Sequence, residues 1–235
     1  MGRRIGIFAI IVFTLVSSLA AGAAVGNLIL PAQSQTEEVW ETFATQNAKQ
    51  EAVLLADKDG SAFMVCQIGD GATRLISILP TAAPKGKENT TFLSVYRQEG
   101  IEGLRQEIMK SLSCTLTGYM EVDFSGLALV VEALGGVEME GRTFSGQELQ
   151  TYLRNLPEDN KGAVAQQEAV LAVGRRFCNA GLWKGQSGLR KLLRITNTDL
   201  IVSDLLRIGS KLIPALEGKG LYRYCLPDQG KWEMS

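Results

Sequence analysis

The sequence predicts an α/β protein: a single α-β-α layered domain with a mixed central sheet, preceded by one N-terminal transmembrane helix. Three observations carry this. From Ile5 to Thr36 there is no charged residue. Beyond Glu37, short strand-like runs and longer runs of helical apolar spacing interleave without a strict βαβ period, which points to a mixed sheet with helices packed on it. No repeat and no low-complexity linker divides that part.

Arg3 and Arg4 precede the uncharged stretch, whose core Ile5–Leu19 is strongly apolar and continues more weakly through Ala20–Ala32. About 20 apolar residues span a bilayer, and the two arginines orient the N-terminus to the cytoplasm. A cleaved signal peptide is the alternative, since Leu19-Ala20-Ala21 and Ala21-Gly22-Ala23 offer small-residue cleavage sites. Val25, Leu28, Ile29 and Leu30 favour the retained anchor. The expected organisation is a cytoplasmic tail over 1–4, an anchor over 5–32, a juxtamembrane linker over 33–51, an extracytoplasmic domain over 52–228 and a tail over 229–235. The protein is expected in the cell membrane as a single-pass chain with its C-terminal domain outside.

Thr36–Gln50 is polar, with Val39, Trp40 and Phe43 on one helical face. Ala52–Ala56 and Ser61–Ile68 read as strands joined at Lys58-Asp59-Gly60, and Arg74–Leu79 as a third after Gly69-Asp70-Gly71. Pro80–Asn89, with two prolines, reads as a loop. Ile101, Leu104, Ile108 and Leu112 set a helix over Gly100–Leu112. Tyr119–Phe124 alternates as a strand. Asp123 and Ser125 can cap a helix whose apolar face is Leu127, Val130, Val131 and Leu134, and Gly135-Gly136 ends it. Val137–Met139 is a short strand. Ser145 and Glu148 have capping-box spacing for a helix over Ser145–Leu156. Gln166–Cys178, Leu189–Ile195 and Thr198–Ile213 read as helices, and Leu221–Leu226 as a closing strand.

The chain of 235 residues is 46% hydrophobic and 21% charged, a globular composition. Lys and Arg number 24 against 25 Asp and Glu, so nucleic-acid binding has no electrostatic support. Removing Arg3 and Arg4 leaves the exported part with a net charge of −3. Histidine is absent, which excludes Ser-His-Asp and Cys-His nucleophile systems and His-ligated metals. No Gly-rich phosphate loop, HExxH or GxSxG occurs. The pairs Glu37-Glu38, Glu138/Glu140 and Glu158-Asp159 read as solvated surface, and one of Arg175 and Arg176 as an exposed helix residue. Cys66 and Cys114 lie in apolar stretches and read as buried thiols. Cys178 and Cys225 could pair in an oxidising compartment.

Tyr119-Met-Glu-Val-Asp-Phe-Ser-Gly-Leu-Ala-Leu-Val-Val-Glu-Ala-Leu-Gly-Gly-Val137 resembles the central signature of the LytR-CpsA-Psr (LCP) family of cell-envelope proteins, roughly Y-V-x-V-D-F-x-G-F-x-x-L-V-D-A-L-G-G-V. Leu75–Pro80 sits where that family has L-L-S-I-P-R-D. Phe92–Gly100 resembles its K-I-N-x-A-Y-x-x-G-G stretch, and Gly146–Arg154 its G-x-x-A-L-x-Y-x-R. Ile195-Thr-Asn197 and Tyr224–Pro227 resemble its T-N … L-P ending. The resemblance spans Val53–Pro227. It implies transfer of glycopolymers from a polyprenyl-pyrophosphate carrier to peptidoglycan, with the lipid in an apolar tunnel, arginines on the pyrophosphate and aspartates acting through magnesium. Such phosphoryl transfer relies on fixed cations more than on a nucleophilic side chain.

The functional residues of the family are mostly missing. S-I-P-R-D is Ser77-Ile78-Leu79-Pro80-Thr81, without Arg or Asp. Where an Asp follows Ser near the second strand, Ala62 follows Ser61. R-x-R is Arg154-Asn155-Leu156, keeping one arginine. D-x-G-R-x-x-R-Q-Q is Asn160–Glu168, with Ala163 and Gln166 in the arginine positions and Asp159 one residue away from the motif's Asp. A charged hydrogen bond is worth about 1.5–3 kcal/mol, so losing three or four around one pyrophosphate costs roughly 5–10 kcal/mol after partial compensation. The resemblance therefore implies a degenerate, non-catalytic member, with no catalytic or metal-binding residue and no required cofactor; magnesium enters only if the family activity survives. Arg154, Gln166, Gln167 and Arg74 are the candidate contacts to a lipid phosphate, and Arg74 and Lys85 could supply replacement cations. Three roles follow: a binding protein for a polyprenyl-linked lipid or an envelope polymer or protein, an active phosphotransferase with relocated residues, or a structural domain without a ligand.

Overall fold

The computed structural model describes residues 51–227 apart from Asp70, Phe124 and Ser125, so the expected anchor, juxtamembrane helix and C-terminal tail lie outside the described residues. Among the described residues no helix is long and apolar enough to cross a membrane. Strands β1 (Glu51–Asp57), β2 (Phe63–Gly69) and β3 (Ala72–Ile78) form an antiparallel meander. Strand β4 (Gly118–Val122) runs parallel to β1, and β8 (Leu221–Leu226) runs parallel to β3. With β7 (Thr196–Thr198) antiparallel to β4, the six-stranded mixed sheet has the order β7-β4-β1-β2-β3-β8.

The alternation of strand side chains builds two cores. Ala52, Leu54, Ala56, Phe63, Val65, Ile76 and Ile78 face one way and bury against Phe92, Leu104, Ile108 and Leu112 of α1 (Phe92–Leu112). Val53, Met64, Cys66, Ile68 and Leu75 face the other way, against Leu171 of α4 (Asn160–Asn179) and Ile208 of α6 (Val202–Leu216). Helices therefore cover both faces of the sheet. The remaining elements, α2 (Leu127–Leu134), the hairpin β5 (Val137–Met139) and β6 (Arg142–Phe144), α3 (Gly146–Arg154) and α5 (Gly181–Ile195), share a third core with the outer side of α4. Helix α4 is thus apolar on two sides, touching the sheet through Leu171 and the outer helices through Ala169, Ala172 and Val173.

Several elements differ from the sequence expectation, each for a local reason. Helix α1 starts at Phe92, because Thr91 and Ser94 cap each other reciprocally, and it is broken at Gly100, whose φ of 69° lies in the left-handed region. Only the part after that break keeps a readable apolar period. Helix α4 starts at Asn160, where Asp159 accepts from the Gly162 N–H; its polar first turn hides the start. Helix α5 begins at Gly181. Thr196–Thr198 is a strand, not a helix start: these residues pair with β4, and the Thr198 hydroxyl donates to the Tyr119 carbonyl at 2.5 Å. Strand β6 is too short to show alternation. Gly126 rather than Asp123 is the N-cap residue of α2, although the Asp123 carboxylate does accept from the Gly126 N–H. Gly135 ends α2 in the left-handed conformation, as its sequence predicts.

The four cysteines are free thiols. Cys225 donates to Asn160 at the start of α4, whereas Cys178 lies near its end. At 1.5 Å per residue that separation is roughly 27 Å, far beyond the ~7 Å limit between the Cα atoms of a disulfide. The possible Cys178–Cys225 pair is therefore ruled out. Cys66 is buried and its thiol pushed up to about 12 by desolvation, which leaves it unreactive.

Candidate functional site

The meander, α3 and α4 meet around one cleft. Its floor comes from the ends of two strands: Asp57 of β1, then Ser77 and Ile78 of β3 running on into Leu79 and Pro80. The turn after β1 adds Asp59 and Ser61. The last turn of α3 adds Gln150, Leu153 and Arg154, the connection to α4 adds Leu156–Asp159, and the first turns of α4 add Ala163 and Gln166. The cavity is about 220 Å³. A small-molecule site usually measures roughly 300–1,000 Å³, so this cleft suits a head group and not a whole isoprenoid chain.

Two tight backbone approaches shape it. A Cβ on Gly162 would stand 1.9 Å from the Pro157 carbonyl oxygen, so the turn into α4 demands glycine. A Cβ on Gly146 would stand 2.0 Å from the Ala128 carbonyl oxygen, which lets α3 begin directly against α2. The Glu132 carboxylate accepts from the Gly146 N–H at 2.8 Å and seats that helix start.

The cleft is acidic. Four carboxylates line it, Asp57, Asp59, Glu158 and Asp159, against the single cation Arg154. Asp57 is 2% exposed and accepts from the Ser61 hydroxyl at 2.6 Å. Asp159 caps α4, where a negative charge also meets the positive end of the helix dipole. Arg154 is exposed, and no carboxylate among the described residues stands within ion-pair distance of it.

Of the expected phosphate contacts, Arg154 and Gln166 line the cleft. Gln166 donates only a long 3.5 Å bond to the Ser61 carbonyl. Gln167 has a different environment. Its side chain is fully buried, and its Nε2 donates to the Tyr224 carbonyl at 2.8 Å, the Ser77 hydroxyl at 2.9 Å and the Leu75 carbonyl at 3.3 Å. It ties α4 to β3 and β8. Arg74 lies four residues upstream of Ile78 on β3, roughly 13 Å along the strand, and bonds to the Tyr224 side chain. Lys85 is not among the lining residues; its backbone N–H donates to the Ser111 hydroxyl.

Of the positions where the family's motifs carry charge, Pro80, Leu156, Ala163 and Gln166 line the cleft, whereas Ala62 and Thr81 are not among its lining residues. Asp57, Asp59 and Ser61 had a sequence signal in the turn at Lys58-Asp59-Gly60, but only the fold brings that turn against α4. Glu158 and Asp159 are exposed, as expected for solvated surface, and also line the cleft. Both Arg175 and Arg176 are engaged: Arg175 pairs with Glu168, and Arg176 donates to the Leu134 carbonyl at the end of α2. Glu168 also meets Arg223 at 2.6 Å. Burial raises the Glu168 carboxyl, but the hydrogen bonds from Arg175 and Arg223 outweigh it and hold the group below the usual range.

The resemblance implies a magnesium ion among aspartates. Among the described residues no group of three or more acidic or thiol side chains is gathered closely enough to hold a metal. Asp57 is engaged by Ser61, and Leu79–Thr81 offers no carboxylate. Asp57 and Asp59 line the cleft, so an ion there would take at most a carboxylate or two from the protein and the rest of its shell from the ligand's phosphate and water.

No protein-family sequence model matches the chain, and neither does any curated protein sequence. Solved structures do match. Bacillus subtilis TagV superposes with a TM-score of 0.62 at 15% identity, over 75% of this chain and 84% of that one. A transcriptional regulator from Enterococcus faecalis, EF0465, gives 0.60 at 21% identity, over 78% and 77%. TagT, captured bound to LI-WTA, gives 0.59 at 15% identity, over 75% and 77%. TagV and TagT are LCP-family enzymes. The fold is LCP-like. Within this LCP-like fold the cleft is lined by Pro80, Leu156, Ala163 and Gln166, four of the positions at which the sequence departs from the charged motifs the resemblance implies.

Proposed function

We propose that this chain is an extracytoplasmic, membrane-tethered LCP-like protein of the cell envelope that has lost phosphotransfer and keeps a binding role. Its ligand is a lipid-linked envelope polymer, with Arg154 as the contact to the head group. The observation that carries this reading is the charge of the cleft: one guanidinium, four carboxylates, and Pro80, Ala163 and Gln166 where the resemblance calls for charge. A pyrophosphate would meet more anions than cations here. The likeness to TagT, which binds LI-WTA, supports the ligand class. Gln166, held only by a 3.5 Å bond to Ser61, offers its amide to a sugar hydroxyl.

The test uses the full chain with geranyl pyrophosphate and geraniol. Wild type should show no pyrophosphatase or phosphotransfer turnover with magnesium. Arg154→Ala should weaken the pyrophosphate by about 1.5–3 kcal/mol, the worth of a charged hydrogen bond, and leave geraniol unchanged. Ala163→Arg with Gln166→Arg should tighten the pyrophosphate, because both side chains would enter the cleft. Turnover that Arg154→Ala abolishes would refute the loss of catalysis. Equal weakening of both ligands would remove Arg154 as the head-group contact.

A further inference from the structure

Helix α5 carries Lys184, Arg190, Lys191 and Arg194 and no acidic residue, in a chain whose acids outnumber its bases. It lies antiparallel to α2. Gly188 sits against Leu134, where a Cβ would be 2.8 Å from the Leu134 side chain, and Ile195 sits against Gly126 at the same separation. Leu192 and Ile195 turn inward to the core shared with α2 and α4. Ser187, Arg190, Leu193 and Arg194 are left outside.

The outer side combines two features. Arg190, Lys191 and Arg194 form no ion pair with any carboxylate of the described residues. Leu193, 36% exposed, and Leu129 of α2, 58% exposed, stand at the same level of the antiparallel pair. Asp123, at the α2 end of this pair, is turned to the Gly126 N–H, and the Asp123 N–H donates to the Ile195 carbonyl. Apolar tips set among unpaired cations on one helix face are the pattern of a helix that lies on an anionic bilayer surface.

We propose that α5, with Leu129 of α2 beside it, is a membrane-surface dock that lays this domain against anionic lipid. The occupant is the bilayer itself: the cations face phosphate head groups, and Leu129 and Leu193 reach the acyl boundary. Each Lys or Arg near such a surface is worth about 1 kcal/mol, or roughly fivefold, so three together give about a hundredfold preference for anionic over neutral lipid. The dock fixes the orientation of the domain, which a tether through Glu51 alone leaves free to rotate.

The test uses the full chain with nanodiscs of phosphatidylcholine alone or with added phosphatidylglycerol. A nitroxide on Ser187→Cys reports contact with a water-soluble nickel relaxant, and the labelled wild-type chain corrects for native thiols. Co-elution with neutral discs reads the tether by itself, so failure of the tether and failure of the dock are distinguishable. Nickel contact should fall several-fold in the anionic discs relative to the neutral ones. Arg190→Gln with Lys191→Gln and Arg194→Gln should abolish the difference, and so should 1 M salt on the unchanged helix, where the screening length is about 3 Å. Equal contact in both kinds of disc, or a fall that survives both the triple variant and salt, would overturn the proposal.

Discussion

Gln167 offers the sharpest test of how α4 is locked to the sheet. Its amide has two N–H groups shared among three acceptors, Leu75, Ser77 and Tyr224, and its Oε1 is buried without a partner. Gln167→Ala removes about two net hydrogen bonds at roughly 1 kcal/mol each. It also opens a cavity that adds about 1–2 kcal/mol. The sum is about 3–4 kcal/mol, or roughly 6–16 °C in Tm for a folding unit of this size. Gln167→Leu fills the space and deletes the orphan oxygen, so it should cost only about 1–2 kcal/mol. Gln167→Glu should be the worst at neutral pH and recover on acidification, since a carboxylate cannot donate where a protonated carboxyl can. Urea unfolding of the three variants at pH 7 and pH 4.5 supplies the numbers. An alanine variant within 1 kcal/mol of wild type, or a leucine variant weaker than alanine, would show that the amide is not the clamp.

Other outcomes follow from single features. Gly146→Ala should cost more than about 3 kcal/mol, because its Cβ would strike the Ala128 carbonyl; a thermal melt within a few degrees of wild type would refute the close packing of α3 on α2. Thr91→Ala should cost about 1 kcal/mol through loss of the α1 cap, measured by urea unfolding. Glu107 is held below the usual range by Lys87, against the pull of burial and with help from Lys110, and Glu168 is also lowered. A depressed folded-state carboxyl stabilises above its unfolded value and loses that contribution as pH falls through the folded one. Glu168→Gln should therefore reduce stability at pH 7 and flatten its fall below pH 4.5, read from denaturation midpoints against pH. Alkylation under non-reducing denaturing conditions should tag four cysteines, and Cys66 should resist the same reagent in the native state.

The sheet was legible because its strands obey period two on both faces. Val53 and Leu54 go to opposite cores, as do Met64 and Val65, so the run of apolar residues in β1 and β2 is a doubly covered strand pair. What the sequence hid lies where a second signal overrides the period. Gly100 divides α1, so only its second half shows helical spacing. Thr196–Thr198 reads as the approach to a helix, yet its β-branched residues and the Thr198 hydroxyl suit an edge strand beside β4. Helix α4 opens on Asn160-Lys161-Gly162, and only the Asp159 cap marks its start.

The site was legible as a pattern of absences and not as a constellation. Pro80 is far in sequence from Ala163 and Gln166, and nothing in composition ties them to the turn at Asp59. The fold does so by ending β1 and β3 at the same edge of the sheet, one on each side of β2, and laying the first turns of α4 near both strand ends. Pro80, Leu156, Ala163 and Gln166 share one small cleft with four carboxylates that repel a diphosphate, and the proposed loss of phosphotransfer rests on that. At about 8 Å in water each added carboxylate disfavours a unit negative charge by roughly 0.5 kcal/mol, so four of them oppose the ligand by about 2 kcal/mol before any cation is counted. Arg154 offsets that amount and little more. On the proposed reading, a site so balanced holds a neutral saccharide end beside one phosphate, whereas stabilising the charge that builds during phosphoryl transfer calls for more cations than Arg154.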